Sequence, residues 1–417
     1  MWAEAHTAMK GTQHATPTAP RLPFIDALRG FALFGVFGAN LMIFSGIILM
    51  TDEQKASLMT TDFDKIAHAL YLFLVETKFI GLFSVLFGIS FWLFLDRARA
   101  RGGSATKLFY RRIGWLFLFG ALHGWLLWCY DILRFYALWA VFLPLFVRMP
   151  LRRLLAVALS MSILAPAVLG VVRFLCAGPA NPASRLTYEA QFLAAGSTGN
   201  YSEVLAANWN YDWFLTLTIG PWGYQLAVFG RLLLGLYAAR ALNLANLEGH
   251  RTTLKKLLLA GAVVGTAGSL AFTSHFLDEA KGVFLPFMRR IIFESGYLGL
   301  TVAYATGLAL LFMNPRRKRV VLLLAPVGQM ALTWYLLQTA IGIWLFYGWV
   351  PGGAHLMGKI GLGWLAFIWI GSFAVQIGLA HAWIRRFRFG PAEWLWRSLT
   401  HWQVQPLREP LRAPPVN

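Results

Sequence analysis

Polar and apolar positions in this chain alternate on the scale of tens of residues. Apolar runs occupy approximately 28–50, 77–95, 113–130, 132–148, 152–175, 222–241, 255–275, 291–313, 320–348 and 360–384. A membrane-crossing α-helix needs roughly 20 apolar residues to traverse a hydrocarbon core about 30 Å thick. The pattern therefore predicts an all-α, polytopic bundle of about ten transmembrane helices. Charges between the runs keep time with this count. Arg97, Arg99, Arg101, Lys107, Arg111 and Arg112 follow the second run, Arg148, Arg152 and Arg153 the fourth, and Arg240, Arg251, Lys255 and Lys256 the sixth. Arg316, Arg317, Lys318 and Arg319 follow the eighth, and Arg385, Arg386 and Arg388 the tenth. Lysine and arginine concentrate in cytoplasmic loops, so even-numbered exits face the cytoplasm and both termini lie there. The opposite connections are acidic or mixed, with Asp52, Glu53, Asp62 and Asp64 after the first run and Asp278, Glu279 and Lys281 after the seventh.

Two stretches depart from this simple alternation. Residues 66–95 would extend about 45 Å as one helix, too long for a straight crossing, and Glu76 and Lys78 interrupt them. We read 63–76 as an amphipathic or re-entrant helix at the outer surface, followed by the crossing. The connection 177–221 holds the turn-rich GPANPAS and GSTGNYS and the aromatics Trp209, Tyr211 and Trp213, and is expected to be an external loop. It divides a first bundle, 21–176, from a second, 222–388. Residues 1–20 are expected to form a disordered cytoplasmic tail and 389–417 a cytoplasmic C-terminal tail.

Composition agrees with the pattern: 58% of the 417 residues are hydrophobic and only 13% charged. The formal net charge of +19 does not point to nucleic acid, because the basic residues are split into short clusters between apolar runs instead of covering one soluble face. Two cysteines, Cys129 and Cys176, exclude a metal-finger or multi-disulfide framework; both fall near outer ends of spans, which leaves a single disulfide open. No phosphate-binding glycine loop, zinc-ligand spacing or G-x-S-x-G elbow is present, and no metal is expected.

Candidate chemistry begins at the hairpin RRIGWLFLFGALHGWLLWCYDILRFYALWAVFLPLF, residues 111–146. His123 lies inside its first apolar run and Asp131 at the start of its second. Ionisable groups at membrane depth usually face a protein interior or cavity. His123 fits a general base and Asp131 its orienting partner; alternatively His123 bridges helices and Asp131 caps a helix start. Asp26 and Arg29, three apart, can pair on one helix face. Lys78 either snorkels to the outer interface or meets an anionic substrate. Gln338 is a polar residue in an apolar run, Trp209 is a platform for a sugar or part of an interfacial belt, and Glu393 with Arg397 has the spacing of a helix-surface bridge.

The segments RLPFIDALRGFALFGVFGANLMIFSG, KFIGLFSVLFGISF and RRIGWLFLFGALHGWLLWCYDILRFYAL, with PVGQMALTWYLLQT and FRFGPAEWLWRSLTHWQVQPLR further on, resemble the YeiB family of bacterial membrane proteins, a domain of unknown function. One position departs from that pattern: Trp334 stands where asparagine is usual. The family is grouped with transmembrane acyltransferases, including heparan-α-glucosaminide N-acetyltransferase. The resemblance implies a bacterial inner-membrane protein that transfers an acyl group from cytosolic acyl-CoA to a hydroxyl or amine of an extracytoplasmic or membrane-embedded glycan or lipid. Under it, Asn40 and His68 match the asparagine and catalytic histidine of the acetyltransferase, and Arg29 with Asp26 would receive the CoA phosphates at the cytoplasmic mouth. A homodimer is compatible with such a bundle. From a different class, His123 and Asp131 also fit a proton-coupled transporter of a small or lipidic molecule.

Overall fold

The computed structural model describes residues 21–100, 104–177, 182–217, 219–273 and 284–408. The tail at 1–20 and the connection carrying Asp278, Glu279 and Lys281 lie outside the described residues. Among these residues every regular element is a helix. The first group is α1 (Pro23–Phe44), α2 (Asp52–Leu58), α3 (Asp62–Leu70), α4 (Lys78–Ala100), α5 (Ala105–Leu126), α6 (Leu133–Ala140), α7 (Leu143–Phe146), α8 (Leu151–Leu159) and α9 (Ala165–Ala177). After α10 (Pro182–Thr198) and α11 (Tyr201–Leu217) come α12 (Ile219–Ala241), α13 (Arg251–Thr273) and α14 (Phe284–Met313). The chain closes with α15 (Pro315–Leu322), α16 (Ala325–Gln329), α17 (Ala331–Phe346), α18 (Leu362–Ile384) and α19 (Pro391–His401).

Among the described residues, six stretches are long and apolar enough to cross a membrane: Pro23–Phe44, Asp62–Ala100, Leu151–Cys176, Glu248–Thr273, Phe284–Met313 and Leu362–Ile384. Several of the other expected spans are interrupted, and proline explains where. Run 132–148 divides into α6 and α7, with Pro144 in the first turn of α7. Run 320–348 divides into α15, α16 and α17, with Pro326 in the first turn of α16. Proline offers no backbone N–H and clashes with the preceding turn, so each run restarts there. Between α8 and α9 the chain widens into a π-turn at Ser160–Leu164, just before Pro166, which accommodates the same clash without breaking the crossing.

One connection differs in form from the sequence expectation. Residues 177–221, expected to be an external loop, hold two helices, α10 and α11, packed as a hairpin. Asn200 restarts the helix, accepting the Glu203 N–H at 3.1 Å through its side chain, a helix-start role typical of asparagine. Residues 63–76 are helical, as expected: α3 is followed by a π-turn at Tyr71–Val75 before α4 begins. The two cysteines are both free, Cys129 buried and Cys176 exposed.

Helix α1 runs through the centre. Gly30 and Gly328 let its backbone touch that of α16: a Cβ on Gly30 would lie 2.1 Å from the Leu324 carbonyl oxygen, and one on Gly328 1.8 Å from that of Asp26. Small residues permit such backbone contact between membrane helices. Elements from both sides of 177–221 share one core, in which Leu33, Leu82, Leu116, Leu232 and Val327 are fully or nearly fully buried. A second cluster around Phe37, Phe44, Trp128 and Tyr347 sits toward α10 and α11. At the end of the bundle where the basic clusters gather, α19 tucks in through the Trp396 indole, which donates to the Arg112 carbonyl at 2.8 Å.

Candidate functional site

His123 lies on the last turn of α5, and the six residues 127–132 carry the chain back to α6. The return is close because position 120 is glycine: a Cβ there would stand 2.4 Å from the Arg134 nitrogen and 2.7 Å from Asp131 Oδ1. Asp131 makes both contacts that its sequence position allowed. Its Oδ1 accepts the Arg134 N–H at 2.9 Å in the first turn of α6, and its Oδ2 faces His123 Nδ1 at 2.8 Å. With the carboxylate ionised, Nδ1 carries the proton and Nε2 is left as the acceptor. Thr339 Oγ1 lies 2.9 Å from that Nε2, and the Thr339 hydroxyl has an alternative acceptor in the Tyr335 carbonyl at 3.4 Å. The Tyr335 hydroxyl donates to Asp131 Oδ2 at 3.4 Å and accepts the Ile132 N–H at 3.3 Å. All four side chains are buried.

Arg134 locks this corner from the other side. Both its terminal nitrogens bond the Asp212 carboxylate, Nη1 to Oδ2 at 2.7 Å and Nη2 to Oδ1, and Nη2 also donates to the Cys129 carbonyl at 3.0 Å. The Trp125 indole adds a 3.3 Å bond to Asp212. Through Asp212 the α10–α11 hairpin is thus tied directly to the loop that presents Asp131.

On the basic side of the pair is a cavity of about 350 Å³. Its lining brings Arg21, Arg29, Arg97, Arg112 and Arg397 together with Asp26 and Glu393, with apolar side chains and with Tyr136 and Tyr335. Arg29 pairs with Asp26 at 2.8 Å, as its spacing predicted, and gives its other arm to Ser90 at 2.8 Å. Arg112 stacks 3.7 Å from the Trp396 ring centroid. Burial, helped by the charge of Arg21, brings the Arg397 guanidinium down to about 10, so it remains cationic at neutral pH. Glu393 does not bridge to Arg397. Instead its carboxylate accepts the N–H groups of Leu332 and Thr333 at 2.6 and 3.1 Å and the Thr333 hydroxyl at 2.6 Å, capping α17. Burial raises its pKa above the ordinary value in spite of these donors.

The remaining candidates are distributed elsewhere. Asn40 is buried in α1 beside the aromatic cluster of Phe37 and Phe44, and His68 is half-buried on α3, the helix that packs on α18; neither joins the His123 bonds. Gln338 is one position from Thr339 yet turns to α18, donating to Gln376 at 2.9 Å. Trp209 is exposed on α11 between Trp125 and Trp213, with ring centroids 5.9 and 5.7 Å away. Lys78 is fully buried on α4, far from a snorkelling position. Among the described residues no three His, Cys, Asp or Glu side chains gather as a metal site would require. Sequence reasoning passed over Tyr335, Thr339, Arg134 and Asp212. The first two, four apart in an apolar run, carried the signal of one polar helix face.

Comparison with known proteins places this architecture in a family. The model for a protein of unknown function, DUF418, matches residues 238–403. The chain is 31% identical to the Bacillus subtilis (strain 168) protein YxaH over 94% of its own length and 97% of that relative's, and 27% identical to Escherichia coli (strain K12) YeiB over 90% and 95%. Both relatives are described as uncharacterized. No solved structure matches the chain. Its near full-length similarity to YxaH and YeiB, together with the matched C-terminal region, makes this chain a member of the YeiB-like DUF418 family.

Proposed function

We propose that the protein is an integral-membrane acyltransferase of the bacterial inner membrane, with the arginine-lined cavity as the entry for cytosolic acyl-CoA and His123 as the base. One observation carries this reading. The cavity that gathers five arginines also has Tyr335 in its lining, and the Tyr335 hydroxyl bonds the carboxylate that holds His123. Arginine matches phosphate oxygens with two parallel N–H donors, and the apolar part of the lining suits the pantetheine arm and its acyl group. The reading puts the basic end of the bundle in the cytoplasm, with ten passes: α6–α7 and α17 are the short ones, and both termini are cytoplasmic.

In this scheme the acceptor hydroxyl or amine approaches from the opposite side. Thr339 rotates its hydroxyl back to the Tyr335 carbonyl and frees Nε2. As the acceptor heteroatom attacks the thioester carbonyl, its proton passes to Nε2, while Asp131 stabilises the imidazolium and holds its orientation. The carbon–sulfur bond breaks, and the thiolate takes the proton to leave as CoA. His123 and Asp131 are 3% and 1% exposed, so acceptor access requires an opening on the α10–α11 side. That closure also fits the alternative, a gated proton-coupled transporter.

The deciding test is binding and turnover on protein in nanodiscs, using acyl-CoAs of several lengths. We expect acyl-CoA binding that survives His123→Ala and weakens roughly tenfold in Arg29→Ala, the scale of one charge-assisted contact. We also expect free CoA release with a hydroxyl or amine acceptor, lost in His123→Ala. Absence of acyl-CoA binding would overturn the reading, and proton-linked flux without thioester consumption would establish the transporter.

A further inference from the structure

A second set of buried charges lies away from the His123 site, where the span Asp62–Ala100 breaks. The π-turn Tyr71–Val75 ends at Glu76, Thr77 adopts a left-handed φ of 60°, and α4 begins at Lys78. A β-branched residue rarely takes that conformation, and such strain clusters at ligand sites. Discontinuous helices are also how membrane proteins place backbone ends and charges around a substrate.

The side chains at the break are incompletely satisfied. Lys78 is fully buried, its ammonium bonded to the Leu72 carbonyl at 2.5 Å and 4.9 Å from the Tyr297 ring centroid. Arg231 on α12 is 1% exposed and donates to Glu294 at 2.7 Å, and Arg290 reaches the other oxygen of Glu294 at 2.6 Å. Thr301, on the same face of α14, donates to the Lys78 carbonyl at 2.9 Å. The Nε atoms of Arg231 and Arg290, Glu76 Oε2 and Thr77 Oγ1 are buried with no hydrogen-bond partner among the described residues. Lys78, Arg231 and Arg290 outnumber the two carboxylates, Glu76 and Glu294. Lys78 and Arg231 are buried and Arg290 is partly exposed beside them; buried cations in a low-dielectric interior are costly unless paired.

We infer that the break between α3 and α4, facing Arg231 and Arg290, is a binding site for a phosphate group. Lys78 opens the 23-residue α4 at its positive N-terminal end, Arg231 packs against Gly81 in its first turn, and Arg290 shares Glu294 with Arg231, together an anion cradle. Donors left open on two arginines match its oxygens. The flank bearing Leu74, Leu285 and Ile292 is exposed and apolar, which suits a phosphate carried on a lipid; free phosphate presents the same chemistry. This site stands independently of acyl transfer.

The test uses full-length protein. Lipid retention is measured by native mass spectrometry from nanodiscs of phosphatidylcholine with and without phosphatidylglycerol, and thermal shift with inorganic phosphate at constant ionic strength. A tighter hold on phosphatidylglycerol of roughly tenfold is the expectation for one added charge-assisted contact, lost in Lys78→Met and in Arg290→Gln and retained in His123→Ala. Arg290 is partly exposed, so Arg290→Gln keeps the test decisive if Lys78→Met fails to fold. Stabilisation by phosphate alone, lost in the same variants, assigns the site to a soluble phosphate. Equal retention of both lipids without a phosphate shift overturns the site, as does a preference unchanged in Arg290→Gln.

Discussion

Tyr335 and Asp131 are joined by a 3.4 Å hydrogen bond across 204 residues of sequence, and Tyr335 also lines the arginine-rich cavity. This one contact links the place where an anionic donor would dock to the carboxylate that sets the His123 tautomer. Tyr335→Phe removes the link and leaves the half-buried Ile132 N–H without its acceptor, so we expect a stability loss of about 1–3 kcal/mol. Turnover should fall several-fold or more while acyl-CoA affinity stays within a factor of about two, since a hydrogen bond to a charged group is worth about 1.5–3 kcal/mol. Calorimetry beside a CoA-release assay separates the two effects; equal losses in both would place Tyr335 in donor binding.

Asp131→Asn tests the pair itself. The amide oxygen can still accept the Arg134 N–H, so α6 keeps its first-turn bond. Its NH₂ opposite Nδ1 favours the other imidazole tautomer and puts a proton on Nε2. On the acyltransferase reading, turnover should drop by roughly 10²–10⁴, the range for an orienting carboxylate in such pairs, with little change in melting temperature. Turnover near wild type would remove Asp131 from the mechanism.

Arg134→Ala should be far more damaging to folding. It strands the Asp212 carboxylate, whose side chain is only 11% exposed, and breaking a buried pair costs about 3–5 kcal/mol. The double substitution Arg134→Leu with Asp212→Leu removes both charges and should recover part of the loss. Melting curves in detergent measure this. Limited proteolysis should detect early release of the α10–α11 hairpin in the single variant.

Glu393 gives a pH signature. Its pKa is raised in the folded state, chiefly by burial, so folding favours the protonated form. Its contribution is fully present below the ordinary glutamate value of 4.5 and is lost as pH rises through the higher folded value. Acidification across that window should therefore raise stability at this residue, and Glu393→Gln should flatten the local pH dependence. Comparing melting temperatures of wild type and variant from pH 4 to 8 gives the difference directly; parallel curves would contradict the burial argument.

Much of the fold was legible in the sequence because a bilayer imposes a length on every crossing and a sign on the loops. The long apolar runs at 28–50, 255–275, 291–313 and 360–384 correspond to α1, α13, α14 and α18. The separate helix at 63–76 was legible too, since charges at Glu76 and Lys78 interrupt an over-long run. Hydropathy averages over a window and does not register proline's lost N–H, so α6–α7 and α15–α17 appeared as unbroken spans. The α10–α11 hairpin was missed for a related reason: its turn residues are those of a loop, and its helical packing depends on Arg134 and the aromatic cluster around Trp128.

The candidate site divides along the same line. His123 with Asp131, and Asp26 with Arg29, are pairs a few residues apart, and helix or hairpin geometry alone brings such neighbours together. Thr339 lies 216 positions from His123 and Asp212 lies 78 from Arg134, so no local period connects them. The arginine cavity likewise draws Arg21, Arg97, Arg112 and Arg397 from separate elements, and as sequence these were only topology markers or a helix-surface pair. The chain's local pattern determined which segments are helices and where charge enters them. Which charges share a cavity and which are buried as partners was decided by tertiary packing, because a polar group removed from water must find its partner wherever the folded chain supplies one.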